Sequence, residues 1–187
     1  PTISLTDGTP TFAEVAGDSS GSANSVVINN SIALEDLDGE VTTATVKVTN
    51  ATSDDELLFT DTIEIEGASS LSGNTLTLTL TAVSGQTPST ADFQAALRTV
   101  EYNNTSDTPD ETARTVEFSV SDGTDNSDPI ATESVTVSAT NDVPVVTLST
   151  GSATYTEIDG SDTTANDVSF GASGTSEISD LDGSDDG

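Results

Sequence analysis

Two stretches of this sequence set paired carboxylates beside a glycine: Asp36-Leu-Asp38-Gly39 and Asp180-Leu-Asp182-Gly183. Side chains at alternate positions of an extended backbone point to one side, and the glycine permits the turn that follows. Calcium takes about six to eight oxygen ligands, and one such pair supplies two or three of them. A solvated turn is the plain alternative for either copy taken singly. Recurrence at matching positions of an internal repeat favours a cation site. Three further features bear on it. Asp122 closes the segment Phe118-Ser-Val-Ser-Asp-Gly123, where it could meet the Asp36/Asp38 loop at one pole. Asn141 and Asp142 stand ahead of Pro144, which stiffens the connection they occupy. Glu14 and Glu157 recur near the end of the first strand of each repeat.

Other chemistries fare worse. Gly17-Asp-Ser19-Ser-Gly21 fits the hydrolase elbow pattern, but a chain with no histidine offers Ser19 no usual base. The segment Asp182 to Gly187 opens like an EF-hand loop, yet it lacks the distal glutamate and the flanking helices. Paired carboxylates could hydrolyse glycosides, but no aromatic platform accompanies them, with five Phe and two Tyr in the chain. The absence of Cys and His removes disulfides, thiolate sites and the usual transition-metal ligands. The expectation is no catalytic residue, no organic cofactor, and Ca2+ as the bound ion.

Charge narrows the partners. Asp and Glu number 33 against three Lys and Arg (Lys47, Arg98, Arg114), for a net charge of -30 over 187 residues. Nucleic acid and anionic membrane surfaces both need clustered cations, so both are excluded as partners. No run of apolar residues is long enough to span a bilayer. Such acidity with modest hydrophobicity also suits a disordered chain. Strict apolar alternation in several segments argues against that, and self-repulsion in a compact acidic chain is relieved by bound divalent cations.

The elements that must position these loops are mostly strands. Thr75 to Thr81 alternates Thr and Leu, directing Leu76, Leu78 and Leu80 to a core and the threonines outward. Val116/Phe118/Val120, Val135/Val137, Val46/Val48 and Ile63/Ile65 repeat the pattern. Ile3 and Leu5 open a first strand resuming near Phe12 and Val15, and Val26 to Leu34 reads as another, interrupted at Asn29-Asn30. The segment 90–97 reads as a short helix feeding a strand around Val100 and Tyr102. These signals predict an all-β, antiparallel Greek-key sandwich with one short helix.

An internal repeat sets the organisation. Pro1-Thr-Ile-Ser-Leu5 matches Pro144-Val-Val-Thr-Leu148, Thr11 to Glu14 matches Thr154 to Glu157, and Ile32 with Asp36 to Gly39 matches Ile178 with Asp180 to Gly183. The reading is a complete unit over 1–142 and the opening part of a second over 143–187. Pro1 is not a natural start, so the sequence reads as part of a longer polypeptide. The second unit is either cut at that point or split by another module inserted after its Asp-x-Asp-Gly loop.

In this order, Glu14, Asp-Leu-Asp-Gly, Arg114-Thr-Val-Glu-Phe-Ser-Val-Ser-Asp-Gly123 and Asn141-Asp-Val-Pro144 together resemble the cadherin-like (Ig-like) tandem repeats of bacterial repeats-in-toxin adhesins. Ala95-Ala-Leu-Arg-Thr-Val-Glu-Tyr-Asn-Asn-Thr-Ser-Asp107 strengthens the likeness. The resemblance implies an extracellular, cell-surface protein exported by type I secretion. In such proteins calcium between neighbouring repeats of the same chain rigidifies a stalk serving adhesion or biofilm formation. It implies that Asn141 and Asp142 share a site with Asp180 and Asp182. Asp36, Asp38 and Asp122 would hold the equivalent site of unit one, with Glu14 and Glu157 matching the first-strand acid. The alternative is a ligand-binding module near the adhesin tip, for which the outward threonines 75, 77, 79 and 81 are the candidate surface. One strand alone would be too narrow for that role.

Overall fold

A computed structural model describes residues 1–6, 8–15, 24–37, 39–142, 145–147 and 177–179. The chain divides into two compact units, Pro1–Thr140 and Asn141–Gly187. In chain order the strands of the first unit are β1 (Thr2–Ser4), β2 (Thr11–Ala13), β3 (Val26–Val27), β4 (Ala33–Glu35), β5 (Thr43–Val48), β6 (Asp55–Leu58), β7 (Ile65–Ser72) and β8 (Thr75–Ala82). Helix α1 (Thr90–Leu97) follows, then β9 (Glu101–Asn104), β10 (Arg114–Ser121) and β11 (Ala131–Ser138). Among the described residues the fold is an all-β sandwich with a single short helix. One layer is a six-stranded sheet in the order β2-β11-β10-β5-β8-β7; the sheets β3-β9-β6 and β1-β4 supply the other strands.

Alternation builds the core. Leu76, Leu78 and Leu80 of β8, Val46 and Val48 of β5, Val116, Phe118 and Val120 of β10, and Val135 and Val137 of β11 are all buried. The ladder aligns them, pairing Val46 with Leu78 and with Phe118. Each such side chain removed from water contributes about 1.5–3 kcal/mol. The layers also meet edge to face, with the Phe12 and Tyr102 rings 5.6 Å apart at 86°.

Several expected strands are rearranged. The first does not resume in place: β1 pairs antiparallel with β4, whereas β2 pairs parallel with β11. Val26 to Leu34 is likewise two strands, with β3 on β9 and β4 on β1. Between them Asn29 turns inward, its Nδ2 donating to Glu133 Oε2 at 2.6 Å and its Oδ1 accepting from the Ser31 amide at 2.9 Å. Ile63 is 85% exposed while Ile65 is buried. The Thr62 amide and hydroxyl both donate to Ile65 O, forming a turn that starts β7 only at Ile65.

Helix α1 is the expected one, capped by Ser89. The Ser89 hydroxyl accepts from the Asp92 amide and the Asp92 carboxylate accepts from the Ser89 amide, a reciprocal capping box. It buries Phe93, Ala96 and Leu97. It also holds the chain on both sides of the Asp36 loop. Arg98 Nε donates to Ile32 O at 2.8 Å, Gln94 Oε1 accepts from the Leu34 amide at 2.9 Å, and Thr90 Oγ1 accepts from the Val41 amide at 3.1 Å.

Strand β6 was not anticipated, because Asp55 and Glu56 give it no apolar alternation. Its Asp55 is 4% exposed and lies at the centre of a polar cluster joining the layers. Arg114 Nε donates to Asp55 Oδ2 at 2.7 Å, Tyr102 Oη to Oδ1 at 2.5 Å, and Asn104 Nδ2 to Oδ1 at 2.6 Å. Arg114 itself is 1% exposed. Burial pushes the Asp55 pKa up, but the bonds from Arg114, Tyr102, the Thr52 amide and Asn104 outweigh it and hold the carboxyl below its ordinary range. Burial and the neighbouring carboxylate push the Tyr102 phenol well above its ordinary value.

In the second unit the structure describes β12 (Val145–Thr147) pairing antiparallel with β13 (Glu177–Ser179), in the register Val145 to Ser179 and Val146 to Ile178. This repeats the ladder of β1 and β4, where Thr2 faces Glu35 and Ile3 faces Leu34. The structural counterpart of Ile178 is therefore Leu34, not Ile32.

Removing one partner of the buried pair should be severe. Asp55→Asn is expected to lower the unfolding free energy by about 3–5 kcal/mol at neutral pH, read by urea denaturation. Because the folded pKa is depressed, the carboxylate's contribution is present above the unfolded pKa and disappears as pH falls through the folded value. The gap between parent and variant should therefore narrow below about pH 4.

Candidate cation site

The loop after β4 and the loop after β10 meet at one pole of the sandwich. The Thr42 amide donates to Ser121 O at 2.8 Å and its hydroxyl to the same oxygen at 3.2 Å, binding the two loops where they leave the sheet. A Cβ on Gly39 would lie 3.8 Å from both Asp122 Cβ and Asp36 Oδ2, so the two acids flank this glycine. Gly123 has φ of 93°, a conformation that favours glycine and lets the chain reverse directly after Asp122.

The two carboxylates differ in their hydrogen bonding. Asp122 Oδ1 accepts from the Thr124 amide at 2.7 Å and the Asp125 amide at 2.8 Å. The backbone bond from Asp125 and then that from Thr124 lower its pKa, so it is held charged. The Asp36 side chain is fully buried, at 0% accessibility, and neither of its oxygens has a hydrogen-bond partner. The Pro1 amino nitrogen is 3.8 Å from Asp36 Oδ1, within ion-pair range but beyond hydrogen-bond length. A buried carboxylate without donors is costly unless a cation compensates it. These are oxygen-only ligands suited to a hard ion.

Glu40, beside this loop, was not singled out in the sequence. Its Oε2 accepts from the Thr90 amide at 2.7 Å and the Thr90 hydroxyl at 2.8 Å. The bond from the Thr90 amide and then that from its hydroxyl lower its pKa, against the repulsion of Asp36 and Asp92. The loop is thereby anchored to the N-terminus of α1, a favourable place for an anion. Its position right after Asp-Leu-Asp-Gly was the available signal.

Glu14 lies elsewhere, at the exit of the first unit. It is 4% exposed; its Oε2 accepts from the Thr140 amide at 2.9 Å and its carbonyl from the Thr140 hydroxyl at 2.7 Å. Glu111 Oε1 accepts from the neighbouring Ala139 amide at 3.1 Å, a second carboxylate that no pattern in the sequence marked. Glu14 and Asp36 thus occupy separate places. In the second unit Asn141 is exposed and Asp142 is buried, with Asn141 Nδ2 donating to Asp142 O at 2.7 Å. Asp38, Glu157, Asp180 and Asp182 lie outside the described residues, as does Ser19. Among the described residues there is no group of three or more His, Cys, Asp or Glu arranged to hold a metal, and no helix long and apolar enough to cross a membrane.

Comparison with protein-family models, with curated proteins and with solved structures finds no match in any of the three.

The buried Asp36 charge leads to an outcome opposite in sign to that for Asp55. With chelator present, Asp36→Asn should melt at or above the parent temperature, because it removes a charge that no donor compensates. With calcium present, the variant should fail to gain the stabilisation that the parent gains. Differential scanning calorimetry in both buffers checks this pair of outcomes.

Proposed function

We propose that this chain is a calcium-rigidified extender from the stalk of a secreted, cell-surface adhesin, with no catalytic role. The observation that carries the reading is the fully buried Asp36 carboxylate, without a hydrogen-bond donor and flanking Gly39 with Asp122. Asp36, Asp38 and Asp122 would hold the ion at this pole. The charge and two-sided geometry of a divalent cation would tie the loop after β4 to the loop after β10.

Two further facts favour an extender over a lone domain. The β1–β4 ladder recurs as β12–β13 in the same register, directly ahead of Asp180. A second site of the same kind, using Asn141, Asp142, Asp180 and Asp182, would follow from that repetition, with Glu14 and Glu157 as the recurrent first-strand acids. The net charge of -30 is then a solvated surface, suited to salty and calcium-rich surroundings. Even several bound calcium ions would offset only a small part of it, so their effect is local: without the ion, carboxylates held in adjoining loops repel and the connection loosens. The extracellular setting, type I export and a part in adhesion or biofilm formation belong to this same reading.

The test is thermal melting with small-angle scattering, in calcium, in magnesium and in chelator. At calcium concentrations a hundred times the dissociation constant, one site should add about 2.7 kcal/mol. The melting temperature should rise in calcium by several degrees, and the scattering envelope should lengthen and stiffen. Equal melting temperature and equal length in calcium and chelator would overturn the proposal. Asp142→Ala should leave the melting of the first unit close to that of the parent while reducing the calcium-dependent change in length.

A further inference from the structure

The outward face of the six-stranded sheet is paved with hydroxyl groups well beyond the single Thr75–Thr81 strand. The ladder places Ser119, Thr45, Thr79 and Ala68 in one row across β10, β5, β8 and β7. The next row along the strands is Glu117, Lys47, Thr77 and Ser70. Beyond the first row on the other side Thr43 stands beside Thr81, and on the neighbouring strand pair Thr115 stands beside Ser134. All these side chains are half-buried or exposed. At about 4.8 Å between strands and 3.4 Å per residue the face measures roughly 24 by 27 Å.

We infer that this face binds a flexible, neutral polysaccharide chain. Charge is the first reason. Among the strand residues that the register places on this face, the acids are Glu66 and Glu117, since Glu133 of β11 stands opposite the buried Val116 on the other face; Glu117 stands opposite Lys47, in a chain of net charge -30. A neutral partner meets less repulsion here than an anionic one meets anywhere on the molecule. Composition is the second reason. The face offers hydroxyls that both donate and accept, in rows, which suits a polyol making many weak contacts. It lacks the aromatic and arginine anchors that sustain protein interfaces, so a second copy of this chain fits it poorly. Shape is the third. Neighbouring strands rotate by about 20–25°, so a rigid flat lattice could touch only a few of them, whereas a flexible chain can follow the twist.

Native electrophoresis in gels cast with dextran, mannan or galactan tests the inference, with calcium present throughout. The parent should be retarded by at least one of these polymers relative to a polymer-free gel. Thr45→Glu with Thr79→Glu should weaken that retardation at least tenfold, as should the milder pair Thr45→Ala with Thr79→Ala, with melting temperatures near that of the parent. Ser84→Glu, in an exposed turn off this face, should bind as the parent does. No retardation of the parent by any of the three polymers overturns the inference, as does unaltered retardation of either folded pair variant. A loss of binding in Ser84→Glu as large as in the pair variants also overturns it. Concentration-dependent sedimentation of the parent that the pair variants abolish would replace it with self-association. Because the inference does not rest on a calcium site, retardation that persists when calcium fails to shift melting would separate the two readings.

Discussion

The sandwich depends on one buried ion pair in a chain almost devoid of cations. Arg114 on β10 and Asp55 on β6 come from opposite layers, and both are almost fully excluded from water. Tyr102 and Asn104 on β9 complete the shell of donors around the carboxylate. Each buried charge is tolerable only because the others are present, since an uncompensated one would carry the full desolvation penalty. The pair thereby registers β10 against the β6–β9 sheet. Hydrophobic contact alone, being non-directional, would leave that alignment loosely specified.

The other two cations serve different ends. Arg98 reaches from the end of α1 to Ile32 O and helps set the strand that leads into the Asp36 loop. Lys47 stands on the exposed sheet face opposite Glu117. No basic side chain is left to neutralise the pole where Asp36 and Asp122 flank Gly39. The contrast between Asp55 and Asp36 is instructive: both side chains are buried, but one is supplied with donors from two neighbouring strands and the Thr52 amide, and the other with none.

Rigidity is distributed to match. The Asp36 loop is held from both sides by α1, through Gln94 and Arg98 before it and Thr90 after it. Thr42 joins it to the loop carrying Asp122. In the proposed calcium site, side chains pre-positioned in this way would lose little conformational entropy on binding.

Much of this protein was legible in its sequence. Period-two patterning alone identified β5, β8, β10 and β11, because a half-buried strand must alternate. The short helix announced itself through its apolar spacing, although its cap is Ser89, one residue ahead of the segment read as helical. The repeat of Asp-Leu-Asp-Gly drew attention to the loop where Asp36 lies, its side chain buried without a hydrogen-bond donor. Tertiary structure decided the rest. Whether Phe12 continued the strand of Ile3 or crossed to β11 depended on which edge was open to it, and no local pattern records that. No local pattern marks Asp55, which is buried only because Arg114, 59 residues away, faces it. Ile63 looked like a core residue until Thr62 turned the chain. The threonines of β8 looked like a single strip until β5 and β10 set their own hydroxyls beside them. Alternation and caps are properties of neighbours in the chain, whereas pairing, charge compensation and the width of a surface arise from segments that meet only after folding.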